Sequence, residues 1–225
     1  MKEKKIEIKY PNILLVEGKD EYNFFESYFK YLKIDNVQYI DIGGKEKFKD
    51  KYESLVNSPE FSKIKKLGFI RDAEDGDASS AFQSIKNIIE EINREKSLAL
   101  AIPIPVPRGP GEIISDGENY TGIFIMPNNN DSGMIEILCL KSIESDPIYK
   151  CIDDFIKCSY NKLSEKDKAE FKELKGRVLA FLATKAIGKN YVNSLGVAAL
   201  KNLWDFSNPC FDMLNNFVSK LFKQV

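Results

Sequence analysis

The first half of the chain alternates short strand-like runs with longer amphipathic segments, and this alternation constrains the fold more than any other feature. The runs occupy residues 13–16, 37–42 and 67–70, and each precedes a stretch whose apolar side chains recur at helical spacing. Strands that alternate with helices in this way pair in parallel, because each helix carries the chain back to the start of the next strand. The sequence therefore predicts an α/β fold with a mostly parallel sheet flanked by helices.

The segments that follow continue the alternation of strands and helices as far as residue 143. The predicted elements that complete the first part are helices at 20–32, 48–56 and 81–92, a strand at 120–126 and a helix at 134–143. Residues 102–111 hold four prolines and two glycines, which exclude a helix interior and a central strand. This proline-rich segment is predicted to be a connecting loop or a sheet edge.

From Asp146 onward the strand-like runs disappear and the chain reads as all-α. The predicted helices of this tail cover 147–160, 164–187, 195–206 and 209–223. Their apolar faces are too rich to remain in water, so we expect the tail to pack on the sheet. The prediction is an α/β domain over 1–145 and a helical extension over 146–225.

Histidine is absent from the chain, and this absence excludes many mechanisms. Ser-His-Asp triads, Cys-His pairs and His-ligated zinc or iron all require an imidazole. The four cysteines contain no C-x-x-C pair and so indicate no zinc site. Any chemistry must therefore use carboxylates, lysines, hydroxyls or a bound metal ion.

Composition also bounds the compartment and the partners. No apolar run approaches the 18 or so residues of a spanning helix, and the N-terminal sequence lacks a charged-then-apolar leader, so we expect a cytoplasmic protein. A net charge of −1 provides no global basic field, and any nucleic-acid contact must rest on a local patch. The P-loop motif G-x-x-x-x-G-K-[ST] is absent, which excludes P-loop ATP hydrolysis. The oligomeric state stays open.

Acidic residues follow several of the predicted strands. Glu17 ends the first strand, Asp72, Glu74 and Asp75 end the third, and Glu136 follows the last. The carboxyl ends of parallel strands meet at one edge of the sheet, so these groups could converge. Carboxylates that close together repel one another and raise each other's pKa unless a cation neutralises them. An all-oxygen ligand set favours Mg²⁺ or Mn²⁺.

Simpler readings of the same residues stand beside this one. The segment EGKDE can be a polar turn, and RDAEDGD can be a solvated Asp/Gly-rich loop. Asp20 is predicted to cap the first helix, the alternative being a group beside a metal. Gly43, Gly44 and Lys45 could present N–H groups and an ammonium to a phosphate, but a simple strand-to-helix turn is favoured.

Two motifs in this order resemble those of the Toprim domain. LLVEGKDE at 14–21 is similar to its first motif, a strand that ends in a glutamate and a glycine before a helix, and FIRDAED at 69–75 is similar to its D-x-D motif. The likeness continues, through DIGGKEKF, GIFIMPN, SGMIEILCL and LGVAALKNLWDF, to stand-alone Toprim-like proteins of unknown function in archaea and bacteria. The resemblance covers nearly the whole chain and implies a Toprim-like, Rossmann-like fold.

The resemblance also implies residue roles. Glu17 corresponds to the motif glutamate, Asp72 and Glu74 to the D-x-D pair, and Glu136 to an additional acid of the kind found in nucleases of the overcoming-lysogenization-defect type. The second acid of the pair is here a glutamate with Asp75 next to it. That departure leaves open which of Glu74 and Asp75 is the second ligand.

The leading hypothesis is a phosphoryl-transfer enzyme that acts on DNA or RNA with Mg²⁺ or Mn²⁺, most specifically a nuclease. Glu17 and Asp72 are the predicted catalytic residues, and the predicted metal ligands are Asp72, Glu74, Asp75, Glu136 and Glu17. Lys19, Lys45 and Lys47 are candidate phosphate contacts by position. The alternative, favoured by the net charge, is a non-catalytic module that binds nucleic acid or a protein and holds a structural ion. A phospho-acceptor site of the response-regulator type ranks last.

Overall fold

The structure, a computed structural model, describes residues 6–96, 103–187 and 190–223 of the 225-residue chain. In chain order the strands and helices are β1 (Asn12–Val16), α1 (Lys19–Leu32), β2 (Val37–Asp41), α2 (Phe48–Val56), β3 (Lys66–Asp72), α3 (Ala78–Glu95), β4 (Ile113–Asp116), β5 (Asn119–Met126), α4 (Ile135–Ser142), α5 (Ile148–Tyr160), α6 (Glu165–Glu170), α7 (Glu173–Ala183), β6 (Ala186–Ile187), β7 (Asn190–Tyr191), α8 (Leu195–Leu200) and α9 (Asp212–Phe222). Within these ranges no helix combines the length and apolar character that crossing a bilayer requires.

Five strands form one sheet in the order β2-β1-β3-β5-β4. The first four run parallel, and β4 pairs antiparallel with β5 at the edge. The chain leaves β1 for β2 on one side, and β3 then lies on the other side of β1. The strand order therefore reverses between β1 and β3, and the loops beyond their carboxyl ends diverge to leave a crevice at this point.

Helices cover both faces of the sheet, as a parallel sheet requires. Along β1, Ile13 and Leu15 belong to the core that α2 and α3 cover, whereas Leu14 and Val16 belong to the core that α1 and α4 cover. The tail adds only to the second core, through α5, α7, α8 and α9. One face of the sheet is thus closed by α2 and α3, and the other by α1, α4 and the tail helices α5, α7, α8 and α9.

The last helix, α9, fits a notch in the sheet. Gly68 of β3 and Gly122 of β5 are in register on neighbouring strands. A Cβ atom at Gly68 would lie 2.8 Å from the ring of Phe222, and one at Gly122 would lie 2.9 Å from the ring of Phe217. The paired glycines therefore admit the aromatic side chains of α9, and the tail shares one core with the sheet.

The predicted fold class is confirmed: the protein is α/β, with a mostly parallel sheet flanked by helices and with helices at its C-terminal end. The proline-rich segment is irregular from Pro103 onward, as predicted, and residue 102 lies outside the described residues. Strand β4 was not predicted, because an edge strand that is half-exposed on both faces carries no apolar run. The division at 145/146 stays a prediction.

Two predicted tail helices are wrong in extent. The segment 164–187 is not one helix: α6 has no buried residue, and the chain turns extended at Phe171 before α7 begins. Phe171 then packs against the ring of Tyr160. The segment 195–206 is helical only to Leu200, because Asn202 takes a positive φ of 56° and Trp204 turns into the core. The pair β6–β7 adds short strands to a tail predicted to be all-α.

Substituting Gly68 by Ala tests the notch. The added methyl group meets Leu14 and Phe222 at under 3 Å, so we expect the free energy of unfolding to fall by about 1–3 kcal/mol through overpacking. Urea unfolding measures the loss. Gly109→Ala is the matched control, since nothing lies within 4 Å of a Cβ there. Equal stability of the two variants would contradict the packing of α9 described here.

Candidate functional site

Glu17 stands at the end of β1, at the point where the strand order reverses. Its backbone carbonyl accepts hydrogen bonds from the N–H groups of Gly43 (3.1 Å) and Gly44 (2.8 Å), which fixes the turn after β2 against β1. Both glycines have positive φ, 83° and 106°, which explains why glycine stands there. The Oε2 atom of Glu17 is buried and has no hydrogen-bond partner among the described residues. A buried acceptor without a partner calls for a ligand, an ion or a proton.

Asp72 ends the neighbouring strand β3 and reaches a helix start. Its Oδ1 atom accepts a hydrogen bond of 3.1 Å from the backbone N–H of Ile135, the first residue of α4. The residue before the helix, Met134, has no side-chain acceptor, so Asp72 supplies the cap from another element. This bond joins β3 to α4 and fixes the orientation of the carboxylate.

Three further carboxylates lie close to Asp72. Burial raises the pKa of Asp72 well above its ordinary value, and the charges of Glu21, Glu136 and Glu17 raise it further, while the Ile135 N–H lowers it. Such mutual effects require short separations between the groups. The structure therefore brings Glu17, Asp72 and Glu136 together, as the sequence predicts, and adds Glu21.

The pKa values of the other three acids are also raised. Burial is the first cause in each case. For Glu21 the charges of Glu17, Asp20 and Glu136 add to burial and bring the pKa to about 6. For Glu136, Lys175 of α7 opposes burial and lowers the pKa. Like charges thus share a site that water only partly reaches.

Glu21 and Lys175 are absent from the residues predicted from sequence. Glu21 stands four residues after Glu17, inside the quoted motif LLVEGKDE, and lies in the first turn of α1. The signal was its position one helical turn beyond the strand end, on a helix that begins at the same edge. Lys175 had no such signal, because the tail packs onto the edge only in the folded chain.

Asp20 is not the helix cap that the sequence predicts. Gly18 occupies the cap position without a side-chain bond, and Asp20 lies within the first turn of α1. Its Oδ1 atom accepts a hydrogen bond of 3.3 Å from the N–H of Gly196 in α8. A Cβ at Gly196 would lie 2.3 Å from the Asp20 carbonyl oxygen, so only glycine allows this approach. Asp20 therefore ties the tail to the edge of the site.

Glu74 and Asp75 lie in different surroundings. The backbone N–H and carbonyl of Glu74 bond to Gly133 at 2.8 and 2.7 Å, which connects the loop after β3 to the segment before α4. The Glu74 carboxylate pairs with Lys45 and raises the pKa of Glu17. Asp75 is exposed. Glu74, and not Asp75, thus stands beside Glu17, and its role as a metal ligand stays a prediction.

The three predicted phosphate contacts lie on two sides of the edge. Lys45 and Lys47 follow the Gly43-Gly44 turn, and the Lys47 ammonium lies 3.9 Å from the position of a Cβ at Gly43. The Lys19 ammonium lies 3.9 Å from the centre of the Tyr22 ring on α1. Their contact with a phosphate stays a prediction.

A cleft of about 400 Å³ opens beside the acids, and the tail forms one of its walls. Its charged lining comes from Asp20 and Glu21 of α1, Glu136 of α4, Lys19, and Lys175 of α7. A second cavity, of about 450 Å³, lies at the opposite edge, where β3 and β5 begin, and is lined there by Lys65 and Tyr120. Only the first cavity adjoins the converging carboxylates.

The described residues hold no group of three or more Asp, Glu, Cys or His side chains arranged as a metal cage. Mg²⁺ rarely uses such a cage, because it keeps several waters and binds through one or two carboxylates plus substrate phosphates. Asp72 with Glu136, or Glu17 with Glu74, could supply ligands of that number. The arrangement therefore suits an ion that arrives with its waters or with a substrate.

Comparisons with known proteins identify a family and two distantly similar solved structures. The model of a family described as "Protein of unknown function (DUF3226)" matches residues 11–223. No curated protein matches. Two solved structures of the C-terminal region of the OLD protein from Xanthomonas campestris pv. campestris are similar at 11% identity, with TM-scores of 0.37 and 0.35. The matches cover 94% and 95% of this chain and 85% and 87% of those chains. TM-scores of this size carry no argument about function.

Substituting Glu21 by Gln tests the electrostatic strain of the site. The pKa of Glu21 rises from 4.5 to about 6 on folding, so the folded state holds a proton that the unfolded state releases. Stability therefore falls as pH rises from about 4.5 to 6 and stays lower above that range. Gln abolishes this loss, and we expect it to raise the free energy of unfolding by about 1–2 kcal/mol at pH 7.

Urea unfolding of wild type and variant in EDTA, at several pH values between 4 and 8, measures this difference. Glu170→Gln is the matched control, because Glu170 is exposed on α6. A variant that is less stable than wild type at pH 7, or a difference that does not change with pH, would show that Glu21 is not strained by its neighbours.

Proposed function

The chain belongs to the DUF3226 family of proteins of unknown function, and we propose that it is a nuclease that hydrolyses phosphodiester bonds with Mg²⁺ or Mn²⁺. One observation carries the proposal: burial and the charges of the surrounding carboxylates raise the pKa of Asp72 at the strand-order reversal. Parallel α/β sheets place their ligands at this position. A site that concentrates negative charge favours a divalent cation, and a cation held there favours a phosphate.

The donor set fits a hard divalent cation. Every candidate ligand offers carboxylate oxygen, and the chain has no histidine. The buried Oε2 atom of Glu17 has no hydrogen-bond partner among the described residues, so one acceptor stands ready for an ion. A bound cation would also relieve the repulsion that raises the pKa values of Asp72 and Glu21.

Roles for the residues follow from their positions. Asp72 would hold the metal with one further carboxylate, Glu136 or Glu74, since its own carboxylate is oriented by the α4 N–H, and waters or substrate oxygens would complete the ligand set. Glu17 would act as the general acid or base, because its raised pKa lies in the direction that proton transfer near neutral pH requires. When bound, the ion would stabilise charge on the phosphate and lower the pKa of a bound water.

Glu74 pairs with Lys45, and this pairing does not prevent it from binding a metal. The two side chains are 38% and 41% exposed. Exposed ion pairs contribute little to stability, because water and salt screen them. A divalent cation or a substrate phosphate could therefore replace one partner at small cost.

Nucleic acid as the substrate rests on the resemblance of the segments 14–21 and 69–75 to the two Toprim motifs. Lys19, Lys45 and Lys47 at the same edge supply the local positive charge that a polyanion needs. The net charge of −1 is compatible with such a local patch.

Cleavage assays test the proposal. Purified protein is incubated with single- and double-stranded DNA and RNA in EDTA, Mg²⁺ or Mn²⁺. We expect cleavage only with metal, and a loss of about 100-fold or more in Asp72→Asn and Glu17→Gln, because each removes a charge or a proton-transfer group from the reacting centre. Glu170→Gln, far from the edge on exposed α6, should cleave like wild type.

The Asp72→Asn variant keeps a side-chain oxygen for the Ile135 N–H, so a loss of cleavage would come from the chemistry and not from a weakened fold. Thermal unfolding of each variant verifies this. Undiminished cleavage by Asp72→Asn would refute the assignment. Absence of cleavage with intact Mn²⁺ binding would favour the alternative function, a non-catalytic module that binds nucleic acid or a protein partner and holds a structural ion.

A further inference from the structure

We propose that Arg71 and Lys45 form an anion subsite on the α2 side of the acidic edge, and that it binds a phosphate group next to the metal position. The proposal deepens the function proposed above by naming a second substrate contact. Anion binding at this subsite needs no metal and no turnover, so it can be tested when cleavage is absent.

Strand geometry separates the edge into two half-sites. Side chains alternate along β3: Leu67 and Phe69 face the core under α2 and α3, and Ile70 faces the core under α1 and α4. The same alternation directs Arg71 to the α2 side and Asp72 to the α1 side. Arg71 therefore lies apart from the strongest concentration of acids, although it precedes Asp72 in the chain.

Glu17 follows the same rule on β1. Ile13 and Leu15 face the α2 side, so Glu17 continues on that side, where Arg71 and Lys45 both lower its pKa against the effect of burial. On the α1 side, by contrast, no cation accompanies the acids on the strands. The cations that line the cleft with these acids are Lys19 and Lys175. The α2 half-site thus sets Arg71 and Lys45 against Glu17 and Glu74, whereas carboxylates predominate in the α1 half-site.

Arg71 has a buried donor without an acceptor. Its Nε atom is inaccessible to solvent and makes no hydrogen bond, and the guanidinium makes no ion pair with any described residue. A buried donor left unpaired destabilises the folded protein, and a bound acceptor would recover that loss. The guanidinium is a planar fork of five donors, whose geometry matches the oxygens of a phosphate.

A second cation, Lys45, lies near this donor. Lys45 lies close enough to Arg71 for the two positive charges to repel, which lowers the pKa of Lys45 against the larger effect of its bond to Glu74. The Lys47 ammonium lies beside Gly43, in the turn that the Glu17 carbonyl holds. A phosphate would satisfy Arg71 and Lys45 together, and Lys45 would then release Glu74 for the metal.

Titration of inorganic phosphate in EDTA, followed by ³¹P NMR or calorimetry, tests the subsite without metal. We expect Arg71→Gln to weaken phosphate binding by about 10-fold or more, because it removes charge-assisted hydrogen bonds. Arg71→Lys keeps the charge but loses the fork, so its affinity should fall between the two. Arg94→Gln is the matched control, since Arg94 is exposed in the last turn of α3.

Each result decides the proposal. Weakened phosphate binding in Arg71→Gln with normal thermal unfolding, and partial recovery in Arg71→Lys, would establish the subsite even if no nucleic acid is cleaved. Phosphate affinity unchanged by Arg71→Gln would overturn it, and Arg71 would then serve only as a counter-charge to Glu17. That outcome would leave the nuclease proposal intact if cleavage still needs metal and Asp72.

Discussion

The reversal of strand order between β1 and β3 determines where everything else in this protein can lie. It separates the loops that follow the two strands and leaves Glu17 and Asp72 at the mouth of one crevice. The same two strands are covered on both faces, so their ends are anchored by buried side chains on either side. Asp72 then bonds to the first N–H of α4, and this places Glu136, one residue later, within reach of the crevice.

The tail takes part in this arrangement and does not merely cover it. Three glycines attach it at two places: Gly68 and Gly122 admit the rings of α9 into the sheet, and Gly196 lets α8 approach the backbone of Asp20. The first attachment secures the core, and the second positions the tail at the cleft, where α7 supplies Lys175. The sequence predicts only that the helical extension packs on the sheet. In the structure the extension also contributes charge to the site.

Sequence reasoning found those features that depend on chain order and local pattern. Glu17 and Asp72 follow apolar runs, and the parallel arrangement predicts their convergence. It missed features that depend on tertiary contacts. Phe171 and Asn202 interrupt helical patterns because of tertiary contacts at those points, which a local pattern does not contain. Asp20 bonds to Gly196, a residue 176 positions away, instead of capping its own helix. The sequence did not single out Arg71, because the motif defines its acids and leaves the residue before them unspecified.

The carboxylates at the crevice reduce the stability of the fold, so their presence requires an explanation other than stability. Capping α4 requires only a side-chain oxygen, which an asparagine at position 72 would supply without the penalty of a buried charge. The Glu21 carboxylate makes no ion pair within the described residues and accepts a hydrogen bond only from its own backbone N–H, and burial with the neighbouring charges raises its pKa to about 6. A neutral residue at either place would yield a more stable protein. Groups that weaken a fold and converge on one point are explained by what they bind, and repelling carboxylates call for a cation.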